Sequence, residues 1–456
     1  MFLRFFKSSR PLIIIIFLSF LFFLDTSKFF FISDDFYYLS FTNYSSIILP
    51  SHLPQHYIPL FLSLLLTVKK IFGLNPSIFH LLTISVHLLN SILVFMLAKN
   101  FFKGNLPLLS AAVFTFFFPS YETVYWITGL SLSLMLMFSL LSMLVFIYWL
   151  KTKKIYHLFL VNLLTFASIL SHEYGLMTAV VFFLYLKIFK KNAKLNDYFS
   201  LLLAPLLITC FLTFGKLIAR TALTAQNINP YSFTATFIKT FTYLILPFPF
   251  LLDKVDKILI ITIFILLFFI IYKKISGQKL RLFLLLWLLA DLLMISLTSL
   301  PQARYYYFLA VPAIFLLLSI LSSISDKLLI FYCLLVIFQG LVFLSEQKVY
   351  WSKTSLITKN VLNSLSQYYK NLPDDKNLYL VNFPDSLNGP PWNAYLFRNG
   401  LGSALELFNG LDPQKLVFVT TSHNPLLRYD PILTEGQLIK LEGNGNRIVY
   451  FNQVFP

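Results

Sequence analysis

The sequence predicts a polytopic all-α membrane protein. A bundle of about eleven transmembrane helices occupies residues 1–344, and a small extracytoplasmic α/β domain occupies 345–456. Three observations lead there. Of 456 residues, 58% are hydrophobic and 12% charged, whereas soluble domains carry about 45–50% and about 25%. Apolar runs approaching the roughly 20 residues needed for a span recur along the chain. Basic residues are unevenly spread: 26 against 10 acidic in 1–344, but 10 against 9 in 345–456. The net charge of +17 thus belongs to the apolar part, where it sets topology rather than binding nucleic acid. An ordinary soluble enzyme and a disordered chain are both excluded.

Runs near spanning length lie at about 11–31, 78–98, 130–150, 198–218, 280–300 and 326–344; shorter ones lie at about 106–118, 155–170, 174–189, 258–272 and 305–322. The first has Arg4, Lys7 and Arg10 before it and no small-residue cleavage site after it, so it reads as an uncleaved anchor. With the N-terminus inside, the short inner segments hold 17 Lys and Arg against Asp197 and Asp326. Asp25, Asp34, Asp35, Glu122, Glu173, Asp253 and Asp256 then fall outside, with the tail. Tyr57 to Leu74 reads as a helix lying in the interface, and a second such element is expected at about 232–252, near Pro247 and Pro249. In the tail, 355–370 reads as helix, Asn371 to Asp375 as a turn, and Leu378–Asn382, Leu416–Thr420, Gln437–Leu441 and Ile448–Phe451 as strands. Cys210 and Cys333 sit in apolar runs and suggest no disulfide framework.

Several polar groups resist a purely structural account. Ser33-Asp34-Asp35 is good capping chemistry, yet adjacent carboxylates at a membrane surface repel and need a cation, a metal or a proton. His80, His87 and Asn90 share a helix face, where interhelical hydrogen bonding is the preferred reading over metal binding. Tyr121, Tyr125 and Trp126 suit an interfacial belt, which leaves Glu122 among them unexplained. His172 and Glu173 stand together in a tight turn. Arg304 precedes Tyr305-Tyr306-Tyr307; it either snorkels from an aromatic belt or binds an anion, since guanidinium matches phosphate oxygens. Asp291 is a charge at membrane depth and needs a partner or a cavity. Separate loops place Asp34, Asp35, Glu122, Glu173 and Arg304 at one face, which suits a substrate linked to phosphate and delivered from the bilayer.

These pieces, in order, resemble the GT-C superfamily of integral membrane glycosyltransferases, in particular the polyprenyl-phosphate-sugar-dependent type related to protein O-mannosyltransferases. The matches are Asp34-Asp35, Pro59-Leu60 to Gly73-Leu74-Asn75-Pro76, His80 to Asn90, Pro119 to Glu122 with Trp126-Ile127-Thr128-Gly129, Ser171-His172-Glu173, and Arg304-Tyr305-Tyr306-Tyr307 to Pro312. His172 departs from the family's Lys, and the tail lacks tetratricopeptide periodicity.

The resemblance implies inverting transfer of a sugar, mannose being one candidate, from a polyprenyl-phosphate donor to a hydroxyl of a protein, lipid or glycan. Asp34, ahead of Asp35, would be the base; Arg304, with His172, Glu173, Glu122 and Tyr305, would hold the donor. No cofactor is required by single-base transfer, although the carboxylates could hold a divalent ion. The expected compartment is the plasma membrane. A lipid-linked glycan ligase or polymerase and a transporter or flippase are the competing readings.

Overall fold

The computed structural model describes residues 10–48, 57–190, 194–218, 230–246, 249, 257–275, 278–297, 302–370, 372–387, 392–397, 400–410, 412–421 and 431–454. Arg4, Lys7, Pro247, Asp253, Asp256, Pro301 and Asn371 lie outside them.

The chain begins with α1 (Arg10–Phe23) and the 3-10 turn Leu24–Lys28. Three short helices follow before the next span: α2 (Asp34–Leu39), α3 (Tyr44–Ile48) and α4 (Pro59–Phe72). Then come α5 (Pro76–Phe101), α6 (Leu106–Thr115), α7 (Ser120–Tyr125), α8 (Leu130–Thr152), α9 (Ile155–Ser171) and α10 (Met177–Phe189). They are followed by α11 (Leu195–Leu201), α12 (Leu203–Ile218), α13 (Pro230–Ile245), α14 (Lys257–Ile275), α15 (Lys279–Leu297), α16 (Ala303–Leu321) and α17 (Asp326–Lys370). The rest is β1 (Leu378–Val381), α18 (Leu401–Asn409), β2 (Leu416–Val419), α19 (Glu435–Gly443), β3 (Arg447–Tyr450) and α20 (Phe451–Val454).

Local chemistry fixes several ends. Pro59 and Pro76 open α4 and α5, where a missing N–H costs nothing. The Asn75 side chain accepts from the Ser77 N–H, and Gly73 ends α4 at φ 67°.

Six helices among the described residues are long and apolar enough to cross a membrane: Arg10–Lys28, Pro76–Phe101, Ile127–Thr152, Lys279–Leu297, Ala303–Leu321 and Asp326–Lys370. The expectation of about eleven spans is met only in this coarser form. Of the shorter runs, three became α6, α9 and α10, of 10, 17 and 13 residues, while those at 258–272 and 305–322 became the 19-residue α14 and α16. At about 1.5 Å per residue, ten residues reach only half way across a core of about 30 Å. The run at 198–218 is divided at Leu202 into α11 and α12. The helix expected within 57–74 is the 14-residue α4.

α5, α6, α8, α9 and α16 pack into the centre of the bundle, with α15 against α16. The three strands form a parallel sheet of order β2-β1-β3, with Leu378 opposite Leu416 and Arg447. Gln437–Leu441, expected as a strand, is helical within α19. A reciprocal capping box between Thr434 and Gln437 starts the helix there. The boundary expected at 344/345 falls inside α17, a 45-residue helix that continues into the tail. Leu378, Leu380, Leu396, Phe397, Leu401 and Val449 of the tail share one apolar core with Phe31, Phe36, Phe61 and Ile127. The tail is therefore packed onto the bundle at the α2–α4 segment.

Candidate active site

Beyond the turn at Lys28 the chain extends to Ser33, which sits at φ 49°, ψ −125°, a conformation that L side chains rarely adopt. Strain of this kind costs on the order of 1–3 kcal/mol and persists only where the surroundings impose it. Here the tail imposes it. The Ser33 N–H donates to the Leu396 carbonyl at 3.0 Å, and Gly400 packs so closely that a Cβ there would lie 1.8 Å from the Ser33 carbonyl oxygen.

The two aspartates that follow have different surroundings. Asp35 is fully buried. Its Oδ2 accepts from the Ile32 N–H at 3.1 Å, and its Oδ1 accepts from the Thr128 N–H and hydroxyl, both at 2.9 Å. It thereby ties α2 to the turn Trp126-Ile127-Thr128-Gly129. Burial pushes its carboxyl up to about 7, against the hydrogen bonds from Ile32 and Thr128, while the Asp34 charge pushes the same way as burial. Asp34 is only partly buried, with the Ser33 hydroxyl 3.4 Å from its Oδ1.

Glu122, 1% exposed, meets Arg304 twice. Its Oε1 accepts from Arg304 Nη1 at 2.8 Å and its Oε2 from the Arg304 backbone N–H at 2.7 Å. That N–H lies in the first turn of α16 and has no partner within the helix, so Glu122 both caps the helix and holds its guanidinium. Arg304 lies 5.1 Å from the ring centroids of both Trp126 and Tyr305. Among the described residues only its Nη1 makes a side-chain hydrogen bond, so Nε and Nη2 keep donors for another anion.

His172 stacks on Tyr174 at 4.8 Å, and Tyr174 meets Tyr305 edge-on at 5.3 Å. His172 Nδ1 lies 3.4 Å from the Tyr174 N–H and 3.5 Å from Glu173 Oε2. The first contact needs a bare Nδ1 and the second an Nδ1–H, so the proton position on the ring selects between Tyr174 and Glu173. Burial, followed by the charge of Asp34, holds the Tyr38 phenol above its ordinary value; Arg304 opposes this and Glu173 adds to it.

The histidine face of α5 divides. His87 bridges the Tyr307 hydroxyl at 2.9 Å and the Thr115 carbonyl at 3.1 Å. Asn90 donates to the Ser133 carbonyl and the Tyr307 hydroxyl. His80 has no hydrogen-bond partner among the described residues and meets Phe29 edge-on. Asp291 is buried against a small cavity with Ser139, Tyr174, Trp287 and Phe308, whose roughly 30 Å³ has room for about one water. No group of three or more His, Cys, Asp or Glu that could hold a metal ion occurs among the described residues.

Two expectations need correction. Tyr121, Tyr125 and Trp126 are fully buried rather than placed in an interfacial belt, and Tyr305, Tyr306 and Tyr307 are buried as well. Trp126 instead packs 4.9 Å from Tyr395 of the tail and 6.1 Å from Trp351 of α17. The sequence assigns no site role to Tyr38, Thr128, Tyr395, Leu396 or Gly400. Thr128 alone carried a signal, since it directly follows the Trp-Ile pair of a motif.

No protein-family model matches the chain, and no curated protein is similar to it in sequence. Among the solved structures that share its fold are two of the same protein. The crystal structure of ArnT from Cupriavidus metallidurans in the apo state aligns with a TM-score of 0.52 at 11% identity, over 96% of this chain and 92% of that one. The crystal structure of ArnT from the same organism bound to undecaprenyl phosphate aligns with a TM-score of 0.51 at 12% identity, over 98% and 90%. At 11–12% identity these matches establish a shared fold.

Proposed function

We propose that the protein is an integral membrane glycosyltransferase that moves a sugar from a polyprenyl-phosphate carrier to an acceptor hydroxyl, with Asp34 as the base. The observation that carries this reading is the buried Glu122–Arg304 pair, packed on Trp126 in the same turn whose Thr128 holds Asp35 beside Asp34. A fold shared with a protein bound to undecaprenyl phosphate supports the choice of carrier.

In the proposed step the acceptor oxygen attacks the anomeric carbon from the face opposite the phosphate. Its proton passes to Asp34. The bond from the anomeric carbon to the phosphate oxygen breaks, its electron pair goes to the phosphate, and configuration inverts. Arg304 faces the charge that grows on the phosphate. Asp35 is a positioning residue: its oxygens are occupied by Ile32 and Thr128, so it orients the turn that presents Asp34. Single-base transfer uses no metal ion, and activity that survives EDTA would agree with this. The site and tail are assigned to the side of the plasma membrane away from the cytoplasm.

The test uses membranes containing the protein and radiolabelled polyprenyl-phosphate sugars, mannose among them. Label should leave the lipid with wild type and fall about 10²–10⁴-fold with Asp34→Asn. Undiminished transfer in Asp34→Asn would remove the base and return the glycan-ligase reading, which does not depend on an early aspartate.

A further inference from the structure

A second cluster of cations lies on the same side of the membrane as the tail, apart from Arg304. The end of α1, the start of α5 and the middle of α17 enclose an open cleft of about 820 Å³. Lys28, Lys348, Lys353 and Lys359 line it, against the single carboxylate of Asp25. Lys348, Ser352, Ser355 and Lys359 follow one another at helical spacing on α17, so one face of that helix supplies much of the wall. Lys348 is anchored, with Nζ bonded to the Phe22 carbonyl and 4.4 Å from the Phe22 ring centroid. Lys28, Lys353 and Lys359 are exposed.

The bias that sets topology does not account for these lysines. That bias concentrates basic residues on the opposite side, in the short segments between spans. The two spanning helices that lead to the cleft, α1 and α17, also carry exposed apolar side chains. Phe17, Leu18 and Leu21 of α1 are 59%, 55% and 48% exposed, and Leu334, Phe338 and Val342 of α17 are 63%, 65% and 44% exposed. Cations above and open apolar helix faces below match a molecule with a phosphate head and hydrocarbon chains. The cleft also borders the loop of the proposed base. Phe29 and Phe30 line it a few residues before Asp34, and the Phe30 N–H donates to Ser355 in its wall.

We infer that this cleft binds the phosphate head group of an anionic membrane lipid, with the lipid's chains lying along α1 and α17. This site is separate from any donor held at Arg304 and does not depend on the proposed reaction.

The protein in nanodiscs of mixed phosphatidic acid and phosphatidylcholine, released and analysed by native mass spectrometry, tests it. Wild type should retain phosphatidic acid in preference to phosphatidylcholine. The Lys28→Gln/Lys353→Gln/Lys359→Gln variant should retain at least about tenfold less. The corresponding triple Lys→Arg variant should retain it as wild type does, which separates charge from folding. Equal retention by the Gln variant, or no preference by wild type, overturns the proposal. Displacement of the lipid by millimolar inorganic phosphate would also overturn it, in favour of a soluble-phosphate site.

Discussion

The two flanks of the bundle handle positive charge in opposite ways. Around α7 and α16 a single guanidinium is buried, stacked between two aromatic rings and bonded twice to one carboxylate. Around α1 and α17 four lysines line a wide opening with one aspartate among them. The helices differ to match: 78% of the spanning window of α16 is buried in the protein, but only 22% of that of α1. A buried cation has one geometry and suits a reacting phosphate. Exposed lysines adapt and suit holding a head group whose position varies.

The largest effect should come from breaking the buried pair. Glu122→Gln leaves Arg304 without its counter-charge and should cost about 3–5 kcal/mol of stability, read as thermal unfolding in detergent. If Glu122→Gln unfolds as wild type does, the contrast between the flanks fails. Arg304→Lys keeps the charge but loses the planar fork and its stacking. Transfer should fall about 10²–10³-fold, measured by label release, with smaller change in stability.

Asp35→Asn comes next. It sets an amide N–H₂ against an N–H donor and should cost about 1–3 kcal/mol. It should also change the pH dependence. The Asp35 carboxyl is raised from 3.8 to about 7, so its protonated form is favoured by the fold. Stability from this group is full below about 3.8 and is lost as pH rises through about 7. Wild type should therefore melt at lower temperature at about pH 8 than at about pH 5, and Asp35→Asn should flatten that slope. The smallest effect belongs to the exposed flank: Asp25→Asn removes the bond to Lys28 at 2.9 Å and should leave thermal unfolding unchanged.

What could be read from the residues alone follows the same division. Asp34, Glu122 and Arg304 stand out because a charge at a membrane surface needs a partner or a task. The partners themselves were less visible. The Leu396 carbonyl that holds Ser33 is backbone, and no side-chain pattern announces it. Tyr395 reaches Trp126 across 269 positions of sequence, and only the folded tail brings them together. Trp126 looked interfacial because Trp favours interfaces, but the tail covers it. The run at Gln437–Leu441 is too short for its apolar pattern to separate helix from strand, although the Thr434 and Gln437 pair signals a helix start.

The continuous helix α17 has a consequence for how the protein is made. Trp351, Tyr395, Leu396 and Gly400 all belong to the last quarter of the chain, yet they close around Trp126 and Ser33, which are synthesised long before. A nascent chain with its earlier helices already inserted would still hold an unfinished pocket. Ser33 would have no neighbour to impose its backbone angles until α17 had delivered the tail across the bilayer. Competence would therefore arrive late and all at once, and stalled or truncated chains would sit in the membrane with this pocket still open.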